Sequence, residues 1–82
     1  MSAQPIKVKT RRPYIPRLGA PLGECELEAV RGLANGLAIK SIAGKRGIST
    51  RTVEYQLSCC RIKTGCKTNA QMTAWAVRKG LL

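Results

Sequence analysis

The residues able to do chemistry in this chain are mostly cations. Fifteen Lys and Arg stand against four carboxylates in 82 residues, a formal charge of +11, and there is no histidine. General acid–base catalysis usually recruits His or a pair of tuned carboxylates. The carboxylates here are Glu24, Glu26, Glu28 and Glu54, and the first three crowd a short stretch where a helix would begin. A chain of this length forms one domain and buries only about 60% of the surface its unfolded form exposes, which leaves little room for an enclosed cleft. An enzyme is not expected. The charge points instead to a polyanion.

The cysteines are the other candidates for chemistry. Cys25, Cys59, Cys60 and Cys66 lack the spaced pairs and the histidines that zinc sites favour. Cys59 and Cys60 are adjacent, so on a helix they point about 100° apart. They read as small buried hydrophobes, and neither metal nor cofactor is expected. No stretch is apolar for long enough to span a bilayer, so no membrane partner is expected. The first twenty residues lack the apolar run of a secretory signal. A cytoplasmic, nucleoid-associated location with reduced thiols is the expectation.

The elements that must position the cations are set by proline and apolar spacing. Residues 1–21 hold all four prolines with Lys7, Lys9, Arg11, Arg12 and Arg17 and no acid. That composition predicts a flexible basic arm. Its cations, Arg11, Arg12 and Arg17 above all, could track phosphates or enter a minor groove. Residues 22–82 form the domain, and they are predicted to fold as four helices with no strands.

The first helix is predicted from about Glu24 to Asn35, with Leu27, Val30, Leu33, Ala34 and Leu37 on its inner face. Gly23 is its N-cap, its early glutamates suit the helix dipole, and Gly36 can end it in a left-handed conformation. The second helix covers about Ile39 to Lys45, with Ile39, Ile42 and Ala43 inward. Gly47 turns the chain, Ile48 plugs the turn, and Ser49 caps the third helix. That helix covers about Thr50 to Lys63. It buries Val53, Leu57 and Cys60 at i, i+4 and i+7, and shows Arg51, Glu54, Tyr55, Ser58 and Arg61. The fourth covers about Asn69 to Lys79 and carries two apolar stripes. Met72, Trp75 and Ala76 form one; Ala70, Ala74, Val77 and Leu81 form the other. A surface helix needs only one such stripe. The second is either a seam for a partner or part of a crowded core that frays at the end.

A short helix, a tight turn and a projecting helix make a unit that can enter a major groove about 12 Å wide. At this point the sequence resembles a known family. Leu22 to Leu82 is similar, without a gap, to the LuxR/GerE-type helix-turn-helix domain at the C-terminus of many bacterial response regulators and quorum-sensing receptors. Leu22-Gly-Glu-Cys-Glu26 stands where that family opens with Leu-Thr-x-Arg-Glu. Leu33-Ala34-Asn35-Gly36-Leu37 matches Leu-Ala-x-Gly-Leu, and Lys40-Ser41-Ile42-Ala43 matches Lys-Glu-Ile-Ala. Ile48-Ser49-Thr50-Arg51-Thr52-Val53 matches Ile-Ser-x-x-Thr-Val. Lys63-Thr64-Gly65-Cys66 takes the place of Lys-Leu-Gly-Val, and Gly80-Leu81-Leu82 matches a common ending. Gly23, Cys25 and Ser41 depart from the usual Thr, Arg and Glu. Gln56 replaces a usual His, and Asn69 a usual Arg.

The resemblance implies an all-α, four-helix domain that binds double-stranded DNA and regulates transcription in a sequence-specific way. It implies base-reading slots at Glu54, Tyr55 and Ser58, preceded by the exposed Arg51. Arg can grip guanine, Glu can accept from cytosine, and Ser can serve either role. Glu54 could equally pair with Arg51 or Arg61 on the surface, and Tyr55 could be partly packed. Lys40, Lys45, Arg46, Thr50, Thr52, Gln56, Arg61 and Lys63 are the backbone-contact candidates, which position a protein without specifying sequence. The family often dimerises through its last helix, which favours a homodimer through Ala70, Ala74, Val77 and Leu81. Only the basic arm precedes the domain, so neither phosphorylation nor autoinducer control is implied. A rival expectation is a protein-interaction module that pairs with a full-length regulator of this type or meets RNA polymerase through Glu24, Glu26 and Glu28. A third is a nucleoid-coating protein that binds any DNA equally.

Overall fold

The computed structural model describes residues 15–82, so Arg11 and Arg12 lie outside the described residues. Those described form four helices and no strand: α1 Glu24–Ala34, α2 Ile39–Arg46, α3 Thr50–Thr64 and α4 Asn69–Arg78. Each lies within a residue or so of its predicted bounds. No helix among the described residues is long and apolar enough to cross a membrane.

Local chemistry sets the helix ends. The Gly23 amide donates to Glu26 Oε1 at 2.7 Å, so the third residue of α1 satisfies a backbone donor that the first turn leaves unpaired. Gly47 closes α2 with φ of 69°, a left-handed conformation that favours glycine. The Ile48 amide then returns to the Ala43 carbonyl at 3.0 Å, which tightens the turn into α3. Ser49 Oγ accepts from the Thr52 amide at 3.1 Å and caps α3 as expected. Thr68 caps α4 in the same way, accepting from the Gln71 amide.

Helix α3 is the centre of the packing and touches each of the other three. Its Val53, Leu57 and Cys60 are buried as predicted, against Val30 of α1, Ile42 of α2, and Met72 and Ala76 of α4. The inner face of α1 differs from the expected one. Val30 is buried, Leu27, Leu33 and Leu37 are half-buried, and Ala34 is exposed. The i+4 row that starts at Glu26 and Val30 drifts about 40° per step, which carries Ala34 out to the rim. Ala29 and Gly32 are buried in its place. A Cβ on Gly32 would sit 2.7 Å from Ile42 Cγ1, so glycine is what allows α1 and α2 to cross this closely.

The largest departure from expectation concerns Glu26 and Lys63. Both are buried, and the Lys63 ammonium lies 2.7 Å from Glu26 Oε1. It also donates to the Pro21 carbonyl at 3.1 Å. The Lys63 carbonyl in turn accepts from the Gly19 amide at 2.8 Å. Residues 19–21, counted with the basic arm from sequence, are therefore tied to the end of α3.

Removing one member of a buried ion pair strands the other charge, at a cost of about 3–5 kcal/mol. Urea unfolding monitored by circular dichroism should show a loss of this size for Glu26→Ala. The double replacement Glu26→Leu with Lys63→Met should recover most of it. Equal losses for the single and double variants would mean that the pair is not what holds α1 to α3.

Candidate nucleic-acid interface

The outward face of α3 is built by exclusion. Val53, Leu57 and Cys60 face the core, and Cys59 and Lys63 are buried on its flank. Arg51, Glu54 and Tyr55 are exposed and Ser58 is half-buried, so all four proposed base-reading side chains share the opposite side of the helix. Tyr55 is 53% exposed, so its ring is only partly packed. Among the described residues Glu54 makes no ion pair with Arg51 or Arg61. Ile62 continues the same face at 48% exposure, i+4 from Ser58, and sequence reasoning did not single it out. Its signal was an isoleucine outside the i, i+4, i+7 core row.

The eight backbone-contact candidates separate into two groups. Lys40, Lys45, Thr50 and Thr52 are exposed. The other four are engaged inside the protein. Lys63 is a buried tie to Glu26, which is a correction to its expected place among outward cations. Arg46 is half-buried, with Nη1 donating to Gln56 Oε1 at 2.7 Å and Nε 3.4 Å from Glu28 Oε1. That one contact also occupies Gln56. Arg61 donates to the Asn69 side chain and links α3 to α4. A guanidinium or ammonium bonded to a protein partner has fewer donors left to offer a phosphate. Among the arm cations, Arg17 is described and exposed, at the start of the turn that leads to Gly19.

Helix α4 carries its two stripes as the spacing requires. Met72 and Ala76 are fully buried and Trp75 is half-buried. Ala70, Ala74, Val77 and Leu81 are all exposed, Val77 at 59%. The second stripe is therefore on the surface and takes no part in the core. Ala70 and Ala74 also border a shallow depression shared with Leu33 and Thr73.

The cysteines are not uniform. Cys59 and Cys60 are buried and Cys66 is half-buried, but Cys25 is exposed, contrary to the expectation of burial. It is the second residue of α1, one position off the row that Glu26 begins. Burial pushes the Cys60 thiol up from an ordinary 9.0 to about 12, aided by the neighbouring Glu26 charge. Its Sγ lies 3.7 Å from the Glu26 carbonyl, to which the thiol donates.

Comparison with protein families, with curated proteins and with solved structures gave no match.

Two measurements test the contrast between Cys25 and Cys60. Iodoacetamide treatment and mass spectrometry should show Cys25 labelled in the native protein and Cys60 only after unfolding. Native labelling of Cys60 at the rate of Cys25 would contradict its burial. In the alkaline range the unfolded chain releases the Cys60 proton near pH 9 and the folded chain holds it to about pH 12. The folded state binds more protons across that window, so stability falls as pH rises through it. Cys60→Ala should flatten that part of the decline.

Proposed function

We propose that this chain is a sequence-specific regulator of transcription that binds double-stranded DNA with α3 in the major groove. On this reading it is a helix-turn-helix domain of the LuxR/GerE type. The observation that carries the proposal is the outward face of α3. A capped helix comes after the Gly47 turn and leaves Arg51, Glu54, Tyr55 and Ser58 away from the core. A helix is about 10–12 Å across with its side chains, which suits a groove of about the same width. The charge of +11 supports attraction to phosphates.

Arg51, Glu54, Tyr55 and Ser58 would meet base edges, and Lys40, Thr50 and Thr52 would meet the backbone. A second copy would pair through Ala70, Ala74, Val77 and Leu81, a surface stripe that the core does not use. A two-fold dimer of this kind binds half-sites about one helical turn apart.

Selection from a randomised duplex pool, then gel-shift titration at fixed salt, tests the assignment. Arg51→Ala and Tyr55→Ala should each reduce preference for the selected site by about 10–100-fold while sparing binding to random duplex. Lys40→Ala should weaken binding to all sequences and lower the salt slope by about one unit. Full preference in both α3 variants would sink the recognition-helix assignment. Equal affinity for selected and random duplex would favour non-specific coating. Val77→Arg should abolish dimerisation and tight binding to the two-half-site duplex together.

A further inference from the structure

Behind the α3 reading face lies a second feature that the four proposed base-reading side chains do not line. A cleft of about 290 Å³ opens between the last turns of α1 and α2. Leu37 and Ile42 form an apolar part of its wall, and Arg31, Lys45 and Arg46 contribute their cations. Glu28, its one carboxylate, pairs with Arg46. Arg31 and Lys45 are exposed, and their side chains have no hydrogen-bond or ion-pair partner among the described residues. The cleft therefore keeps two uncommitted positive charges beside an apolar surface.

Helix geometry sets its position. Arg46 reaches α3 at Gln56. At about 100° per residue, Gln56 points about 160° away from Ser58, so the Arg46 side of α3 is the rear of the proposed reading face. On α2, Lys45 and Lys40 diverge by about 140°. Lys40 is thus the α2 lysine that does not serve the cleft.

We propose that this cleft docks an acidic segment of a partner protein that carries both carboxylate and apolar side chains. The carboxylate meets Arg31 and Lys45, and the apolar residue rests against the half-buried Leu37, behind which Ile42 belongs to the core. Charge complementarity selects this occupant. A second copy of the chain carries +11, and of its four carboxylates Glu26 is buried. A duplex has a convex, wide phosphate surface that a concavity between two helices does not match. Opposed potentials of this kind mainly set partner choice and encounter rate. The location allows the acidic segment and DNA to be held at once, which deepens the regulator reading by naming the chemistry of its protein partner.

The experiment uses the full chain and a fluorescein-labelled peptide of alternating glutamate and leucine, with its glutamine counterpart as control. Anisotropy should give saturable binding, weakened about tenfold for the glutamine peptide and for the double variant Arg31→Glu with Lys45→Glu, the scale of two partly exposed charge pairs. The charge-keeping double variant Arg31→Lys with Lys45→Arg should bind as the native chain does. Amide shifts in nitrogen–proton spectra should centre on Arg31, Asn35 and Lys45, and saturating duplex should leave peptide affinity unchanged. Shifts centred on Arg51 to Ser58, competition by duplex, or unchanged binding by the charge-reversed variant would each overturn the proposal. Equal shifts from inorganic phosphate alone would reduce the cleft to a plain anion site and overturn it too. If the chain binds no duplex at all, the regulator reading falls while the shift map and the variants still decide the cleft.

Discussion

The Glu26–Lys63 pair is the interaction on which the rest of the structure depends. One carboxylate oxygen receives the Lys63 ammonium and the Gly23 amide, each at 2.7 Å. It therefore caps the start of α1 and fixes the end of α3 with the same atom. The ammonium also holds the Pro21 carbonyl, and the Lys63 carbonyl holds Gly19. The segment from Gly19 to Glu26 and the end of α3, distant in sequence, meet at one buried pair. Apolar packing alone would let α1 and α3 slide at small cost. A buried pair does not, because any slip leaves a charge in a dry site without a partner.

That constraint has a consequence for the surface. With α1 locked to one flank of α3, and α2 crossing close over Gly32, the buried arc of α3 takes in Cys59 and Lys63 as well as the predicted apolar row. The remaining arc presents Arg51, Glu54, Tyr55, Ser58 and Ile62. The chain is strongly basic, yet this face holds one cation and one carboxylate. If α3 reads bases, specificity and grip come from different elements: the helix discriminates, while Lys40 and the general positive field supply attraction.

The charges are thus sorted by partnership and not by number. Lys63, Arg46 and Arg61 hold the fold together through Glu26, through Glu28 and Gln56, and through Asn69. Lys40, Lys45, Arg31 and Arg51 remain exposed to solvent. A count of fifteen basic residues cannot make this distinction, because a cation bonded inside the protein and one facing solvent contribute equally to net charge.

The sequence by itself determined the helices. Apolar spacing placed α1 to α4, Ser49 and Gly47 marked the turn, and the row of Val53, Leu57 and Cys60 fixed which side of α3 is buried. These features are legible because helix periodicity, caps and turns are set by residues within a few positions of one another. The two stripes of α4 were legible for the same reason. Tertiary structure alone decided the fate of the polar residues. Nothing near Lys63 marks it as buried, since its partner is 37 residues away. Nothing near Arg46 foretells that it spans from α1 to α3. The cleft beside Arg31 exists only once α1 and α2 have crossed. Long-range pairing depends on how whole helices pack, and that packing turns residues that look alike in sequence into buried ties or exposed charges.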